Sequence, residues 1–372
     1  MALTRRDLLI GGAAGSLGLW LAVCGDDGAD EIAEVSMPDG RWWMPAEEAP
    51  HEATWMCLPS RTDVWGRWLP EVQQSIAEIA LTVASFEPVR MLVRPDDLDR
   101  AADLMGSDID LIDAPVDDLW ARDTLPLFLV SEVGDLAAGR VRFNGWGGKQ
   151  VHDGDATLAR IVAEILDVPL VDSGIVGEGG GLENDGEGTL LAARSSWVND
   201  NRNPGLSEGE IADVLVELLG AERLLWVDGI AGQDITDGHI DTLARFTDPA
   251  TIVHELPSYV DPGETWYDVA VDTEAALRGF RTLDGDPYEL ITLRQPATPR
   301  GTGEEFLVSY VNYYVCNDGV IVPEFGDAAA DAAAAEQIAA AYPGRDVVAL
   351  NIDPVAAGGG GIHCATQQQP AV

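Results

Sequence analysis

Cys364 sits in GGGGIHCATQQQP (358–370), between a glycine run that lets backbones approach closely and a polar glutamine tract. A packing thiol keeps apolar neighbours, whereas a reactive one needs polar surroundings that can hold a thiolate. Read alone, the stretch is equally a flexible polar tail with an incidental cysteine. Four further segments carry residues that a reacting thiol would need. DDLWARDTLP (117–126) sets Trp120 and Asp123 three apart, just before an apolar run. VRFNGWGGKQ (141–150) joins Asn144, Trp146, a glycine pair and Lys149, the single lysine of the chain. GEGGGLENDGEG (177–188) holds Glu178 in a glycine loop. TDGHIDTLARF (236–246) carries His239 and Asp241, which alternation along an extended segment would put on one face.

Singly, each motif has an ordinary structural explanation: a packed turn with a surface ion pair, or a hydrogen-bonded core histidine. The GEGGG loop matches neither dinucleotide-binding nor phosphate-loop spacing, which sets nucleotides aside. Jointly the set supplies a thiol, an imidazole, three carboxylates (Asp123, Glu178 and Asp241) and a tryptophan. A guanidinium is planar, cationic and rich in N–H donors, so carboxylates grip it in pairs and an aromatic face packs on it. Its carbon resists water but accepts a thiolate once the cation is held in place. Adjacent side chains diverge on a strand or tight loop, so His239 rather than His363 is the expected partner of Cys364. His51, His152 and His254 have no supporting context.

The chain has 372 residues, 46% of them hydrophobic, enough for a large core in one α/β unit or two domains. A net charge of −42 and a pI near 4.1 argue against nucleic acid as partner and favour a small cationic substrate. The acidic surface fits adaptation to high salt or GC-rich codon usage. The four cysteines, at 24, 57, 316 and 364, lack metal-like spacing and do not suggest a disulfide framework. Cys57 and Cys316 lie in apolar runs and read as packing residues.

Strand-like runs at 88–93, 125–130, 188–193, 223–227 and 319–323 alternate with helical patterns at 69–84, 207–219 and 328–341. Ser207 and Glu210 form a capping-box signature at the start of the second helix. The alternation predicts an α/β fold, with no internal sequence repeat to say how the sheet is divided. Arg5-Arg6 ahead of an apolar run to Val23 reads as a twin-arginine-like export signal over 1–24, followed by an acidic linker over 25–40 and one catalytic domain over 41–372. This places the protein in the periplasm, at the cell surface or outside the cell, with no transmembrane helix in the mature chain. LAVC (21–24) also fits a lipoprotein box with lipid on Cys24, although Val23 stands where a smaller residue is usual. A homo-oligomer is left open.

From MPAEEAPHEATW (44–55) through WARDTLP, FNGWGGK, EGGGLENDGEGTLLAARSSWVNDNRNP (178–204), TDGHIDTLARF and VNYYVCNDGVIVPEFGD (311–327) to GGGGIHCATQQQP, the chain resembles the agmatine deiminase and Porphyromonas-type peptidylarginine deiminase family of guanidine-modifying enzymes. The resemblance implies a pentein, an α/β-propeller of five ββαβ repeats about a pseudo-fivefold axis, needing no metal or cofactor. It implies Cys364 as nucleophile, His239 as general acid and base, and Glu178 in contact with it. It also implies Asp123 and Asp241 as the guanidinium grips and Trp120 as pocket wall. Agmatine is the first expected substrate, since the chain ends just after the cysteine motif. Peptidyl-arginine is the alternative, favoured by the leader, and free arginine is third. A silent polyamine- or arginine-binding protein is the non-enzymatic reading, against which the thiol counts. Two departures, Leu125 where the family has glycine and Glu48 where it has an aromatic, are expected near the substrate entrance.

Overall fold

The computed structural model describes residues 37–303 and 305–372. The expected export signal, Cys24 and most of the expected acidic linker lie outside the described residues. Met37, near the end of that linker, packs against the cluster containing Trp42, Leu129 and Leu215.

Apolar runs bounded by turn residues become strands, and the strands fall into five sheets. Four repeat one unit: an antiparallel pair, a helix crossing back, and a third strand parallel to the second. Leu127–Ser131, Leu136–Arg142, the helix Asp155–Leu166 and Leu170–Val176 make the first, with Trp42–Trp43 added at its edge. The second is Leu182–Asn184, Thr189–Ala193, Glu208–Leu219 and Arg223–Val227. Ala244–Asp248, Thr251–Leu256, Thr265–Gly279 and Glu289–Arg294 follow. Then come Tyr314–Val315, Gly319–Glu324, Ala328–Ala341 and Asp346–Asn351. In the fifth, the C-terminal strand Thr366–Pro370 pairs antiparallel with His51–Cys57, so the two ends of the domain close one sheet. The helix Leu69–Val83 and the strands Val89–Val93 and Asp110–Asp113 complete it. This is the pentein architecture that the resemblance implies. The repeat is one of burial and topology, not of residue identity, which is why the sequence does not display it.

Burial falls from each sheet's first strand to its last. Leu127–Ser131 and Thr366–Pro370 are buried at every position, whereas Asp346–Asn351 is half open. The first strands therefore line the centre, and helices cover the outside. Leu69–Val83 turns Val72, Ile76, Ile79 and Val83 inward at helical spacing. Ser207 and Glu210 make both bonds of the expected capping box. Among the described residues no helix is long and apolar enough to cross a membrane.

Two expectations change. The glutamine tract is no tail: Gln368 accepts from Arg122, and Gln369 accepts from both Trp55 and Arg90. Partners for Gln368 and Gln369 offset the burial of two of the three amides, whereas the buried Gln367 amide makes no hydrogen bond among the described residues. Leu125 does not reshape an entrance. Its φ of −93° suits any residue, and its side chain is buried in the cluster with Trp55, Cys57, Phe128 and Leu158. Glu48 is half-buried, its carbonyl accepting from Arg345. Cys57 and Cys316 are buried, as their apolar runs predict.

Candidate active site

A short turn precedes each sheet's first strand, and these five turns carry the chemistry. Trp120 and the turn Ala121–Thr124 precede Leu127; Glu178 and Gly179–Gly181 precede Leu182. His239 and Ile240–Thr242 precede Ala244, and His363–Ala365 precedes Thr366. Asn312 occupies the matching place before Tyr314. Five equivalent positions, far apart in sequence, thus face one another at the centre.

Gly180 marks that centre. A Cβ there would lie 2.7 Å from His239 Nδ1, 2.8 Å from Asp123 Oδ1 and 3.0 Å from Asp241 Oδ2. His239 and Asp241 do share one side, but not by strand alternation: His239 is extended while Asp241 sits in a 3₁₀ turn. Cys364 Sγ lies 3.5 Å from Asp241 Oδ2 and 3.2 Å from Asn312 Nδ2. The backbone N–H of Cys364 donates to Asn312 Oδ1, so one amide fixes both ends of the cysteine. His239 Nε2 is 3.4 Å from Glu178 Oε2, and its Nδ1 is 3.7 Å from Asp123 Oδ1. The Trp120 ring lies where a Cβ on Gly360 would come within 2.2 Å of it, so the glycine run before Cys364 is needed for close approach. None of the six predicted site residues is more than 7% exposed.

Behind these groups stand residues without a role in the sequence reading. Trp146 donates its indole N–H to Asp123 Oδ2 at 2.9 Å. To do so it adopts a φ of 55°, a left-handed conformation costing roughly 1 kcal/mol for a bulky residue. Arg202 holds both oxygens of Glu178 and also reaches Asp237. Lys149 bonds Asp237 and the carbonyl of Ile235, tying down the segment that leads to His239. Four donors hold the Asp237 carboxyl down at about 2 even though burial opposes this. His363 lies between Asp241 Oδ2 and Glu47 Oε2, at 2.8 and 2.9 Å. The available signal for Trp146 was an aromatic set between glycines in NGWGG; Asn312 had none in one sequence.

The electrostatics suit an incoming cation. Burial raises the Cys364 thiol well above its ordinary value, and the charges of Asp241 and Asp123 add to this. Burial alone would lower His239, but Asp123 and Glu178 lift it to about 9. The Asp123 carboxyl is raised, chiefly by burial, whereas Asp241 is lowered overall because His363 and other cations outweigh its burial. Among the described residues, no donor reaches Asp241 Oδ1, a buried oxygen. A buried carboxylate oxygen without a partner is unfavourable by several kcal/mol at most, and a ligand N–H would remove that cost.

The model of the Porphyromonas-type peptidyl-arginine deiminase family matches residues 43–370. The chain belongs to that family. A Legionella pneumophila (strain Paris) protein provisionally named an agmatine deiminase is 36% identical to this deiminase-family chain, over 88% of it and 95% of the relative. A Streptomyces coelicolor protein of the same provisional name is 37% identical, over 88% and 98%. Among solved structures, the agmatine deiminase of Enterococcus faecalis superposes with a TM-score of 0.84 at 28% identity, covering 91% of this chain and all of that one. A substrate-bound C. jejuni agmatine deiminase gives 0.79 at 26% identity, over 90% and 98%.

Proposed function

We propose that this protein hydrolyses the C–N bond of a guanidinium substrate, agmatine first, giving N-carbamoylputrescine and ammonia. The observation that carries the reading is the Asp241 carboxylate: its Oδ2 lies 3.5 Å from the Cys364 thiol, while its Oδ1 is buried with no donor among the described residues. Asp123 Oδ1 and Asp241 Oδ2 lie 2.8 and 3.0 Å from one point beside Gly180, so a planar cation bound there meets two carboxylates. Agmatine is favoured over peptidyl-arginine by relatives of that name aligned over nearly their whole length.

The resting site holds a thiol and an imidazolium. An arriving guanidinium neutralises the carboxylates that keep the thiol protonated, so the thiol gives its proton to solvent water and the thiolate adds to the guanidinium carbon. Protonated His239 then gives its proton to one nitrogen of the tetrahedral adduct, the C–N bond breaks, and ammonia departs. An S-alkylthiouronium cation remains, held by Asp123 and Asp241. Neutral His239 takes a proton from water, whose hydroxide adds to the same carbon. The second adduct expels the sulfur, which regains a proton, and the ureido product leaves.

Export belongs to the same proposal, supported by the Arg5-Arg6 pair and the apolar run behind it. Cell fractionation tests it, and activity confined to the cytoplasm would reject it. Ammonia release from agmatine, free arginine and a peptide ending in arginine tests the reaction and ranks the substrates. Cys364→Ser is expected to lose turnover on the order of 10⁴-fold or more while still binding the guanidinium. Binding by the wild-type protein without ammonia would support the silent-binder reading instead.

A further inference from the structure

His363 precedes the nucleophile, and both of its ring nitrogens are engaged by carboxylates. A carboxylate oxygen can only accept, so each nitrogen donates. On one side Nδ1 meets Asp241 Oδ2, the same oxygen that lies 3.5 Å from Cys364 Sγ. On the other, Nε2 meets Glu47 Oε2, with Glu183 Oε1 at 3.9 Å. Glu47 is anchored in turn by Arg122, Arg245 and the backbone N–H of Val315. The imidazole is therefore a rigid strut between a fixed carboxylate and a reacting one.

Resting on the guanidinium-hydrolase reading, we propose that His363 is a positioning residue. It holds Asp241 Oδ2 beside the thiol and leaves Oδ1 as the oxygen without a protein donor among the described residues. With His363 gone, the Asp241 carboxylate is free to rotate about its own bond, and neither oxygen has an assigned task. Asp241 also loses the nearest positive charge holding its carboxyl below the ordinary range against the effect of burial. The groups facing His363 are Asp241, Glu47 and Glu183, with Arg122 and Arg245 behind Glu47. They leave a net negative surround once the imidazolium is removed.

The test compares His363→Asn, whose amide can still donate toward Asp241, with His363→Gln and His363→Ala. The expected result is a rise in KM for agmatine on the order of 10–100-fold in the Ala and Gln enzymes, with Asn substantially restored. The acid limb of kcat/KM should also move. Asp241 must be ionised to hold the cation, and removing His363 raises its pKa, so activity fails at higher pH as the solution is acidified. A purely structural role would lower the melting temperature of all three enzymes, leaving KM and the acid limb of the folded fraction unchanged; that result overturns the proposal. Calorimetric agmatine binding by Cys364→Ser, with and without each His363 change, reads the same effect without turnover. Equal affinity in the Asn and Gln backgrounds would also overturn it. Absence of ammonia from the wild-type enzyme would instead reject the hydrolase reading, separating the two failures.

Discussion

Arg202 holds both carboxylate oxygens of Glu178, at 2.8 and 3.0 Å, with its guanidinium fully buried. The pair fixes the acid that touches His239, and removing one partner strands the other charge in the interior. Arg202→Ala is expected to lose about 3–5 kcal/mol of stability, the usual cost of breaking a buried pair. Denaturant unfolding checks this; a loss under 1 kcal/mol would show that water can replace the guanidinium.

Gly180 is required for space rather than for backbone freedom. A methyl group there collides with His239, Asp123 and Asp241 together. Gly180→Ala should fold yet lose activity on the order of 100-fold, because displacement of about 1 Å at reacting groups has that effect. Near-normal kcat/KM with unchanged circular dichroism would contradict the central position given to this residue.

The elevated His239 sets an alkaline limit. The imidazolium is the acid that releases ammonia, so kcat/KM should fall as pH rises through about 9. Stability follows the same group: its contribution is fully present below 6.5, the ordinary value, and is lost as pH climbs from there through about 9. Ammonia release and melting temperature measured from pH 6 to 11 test both. Activity still rising at pH 10 would remove His239 as the acid.

Glu48 is a built-in destabiliser. Burial, and then the charge of Glu47, lift its carboxyl to about 7 against the pull of its own backbone N–H. Such an acid weakens the fold as pH rises from the ordinary 4.5 to about 7, where ionisation is forced on it. Glu48→Gln should therefore be more stable than the wild type at pH 8, on the order of 1–3 kcal/mol, and equal to it near pH 4. Equal melting temperatures at pH 8 would mean that the carboxylate is already solvated.

What the sequence by itself determined was local: the strand runs at 88–93, 188–193 and 223–227, each within a residue of the strand that forms, the capped helix after Ser207, and the residue types that suit a guanidinium. These follow from apolar periodicity and from hydrogen bonds spanning three or four residues. Only the tertiary structure decided that five turns meet at one centre, that Asn312 reaches the sulfur, and that His363 serves Asp241 rather than Cys364. It also turned the glutamine tract into a buried strand and Leu125 into core. Each of these depends on a partner distant along the chain, and a single sequence carries no record of which distant residues fold into contact.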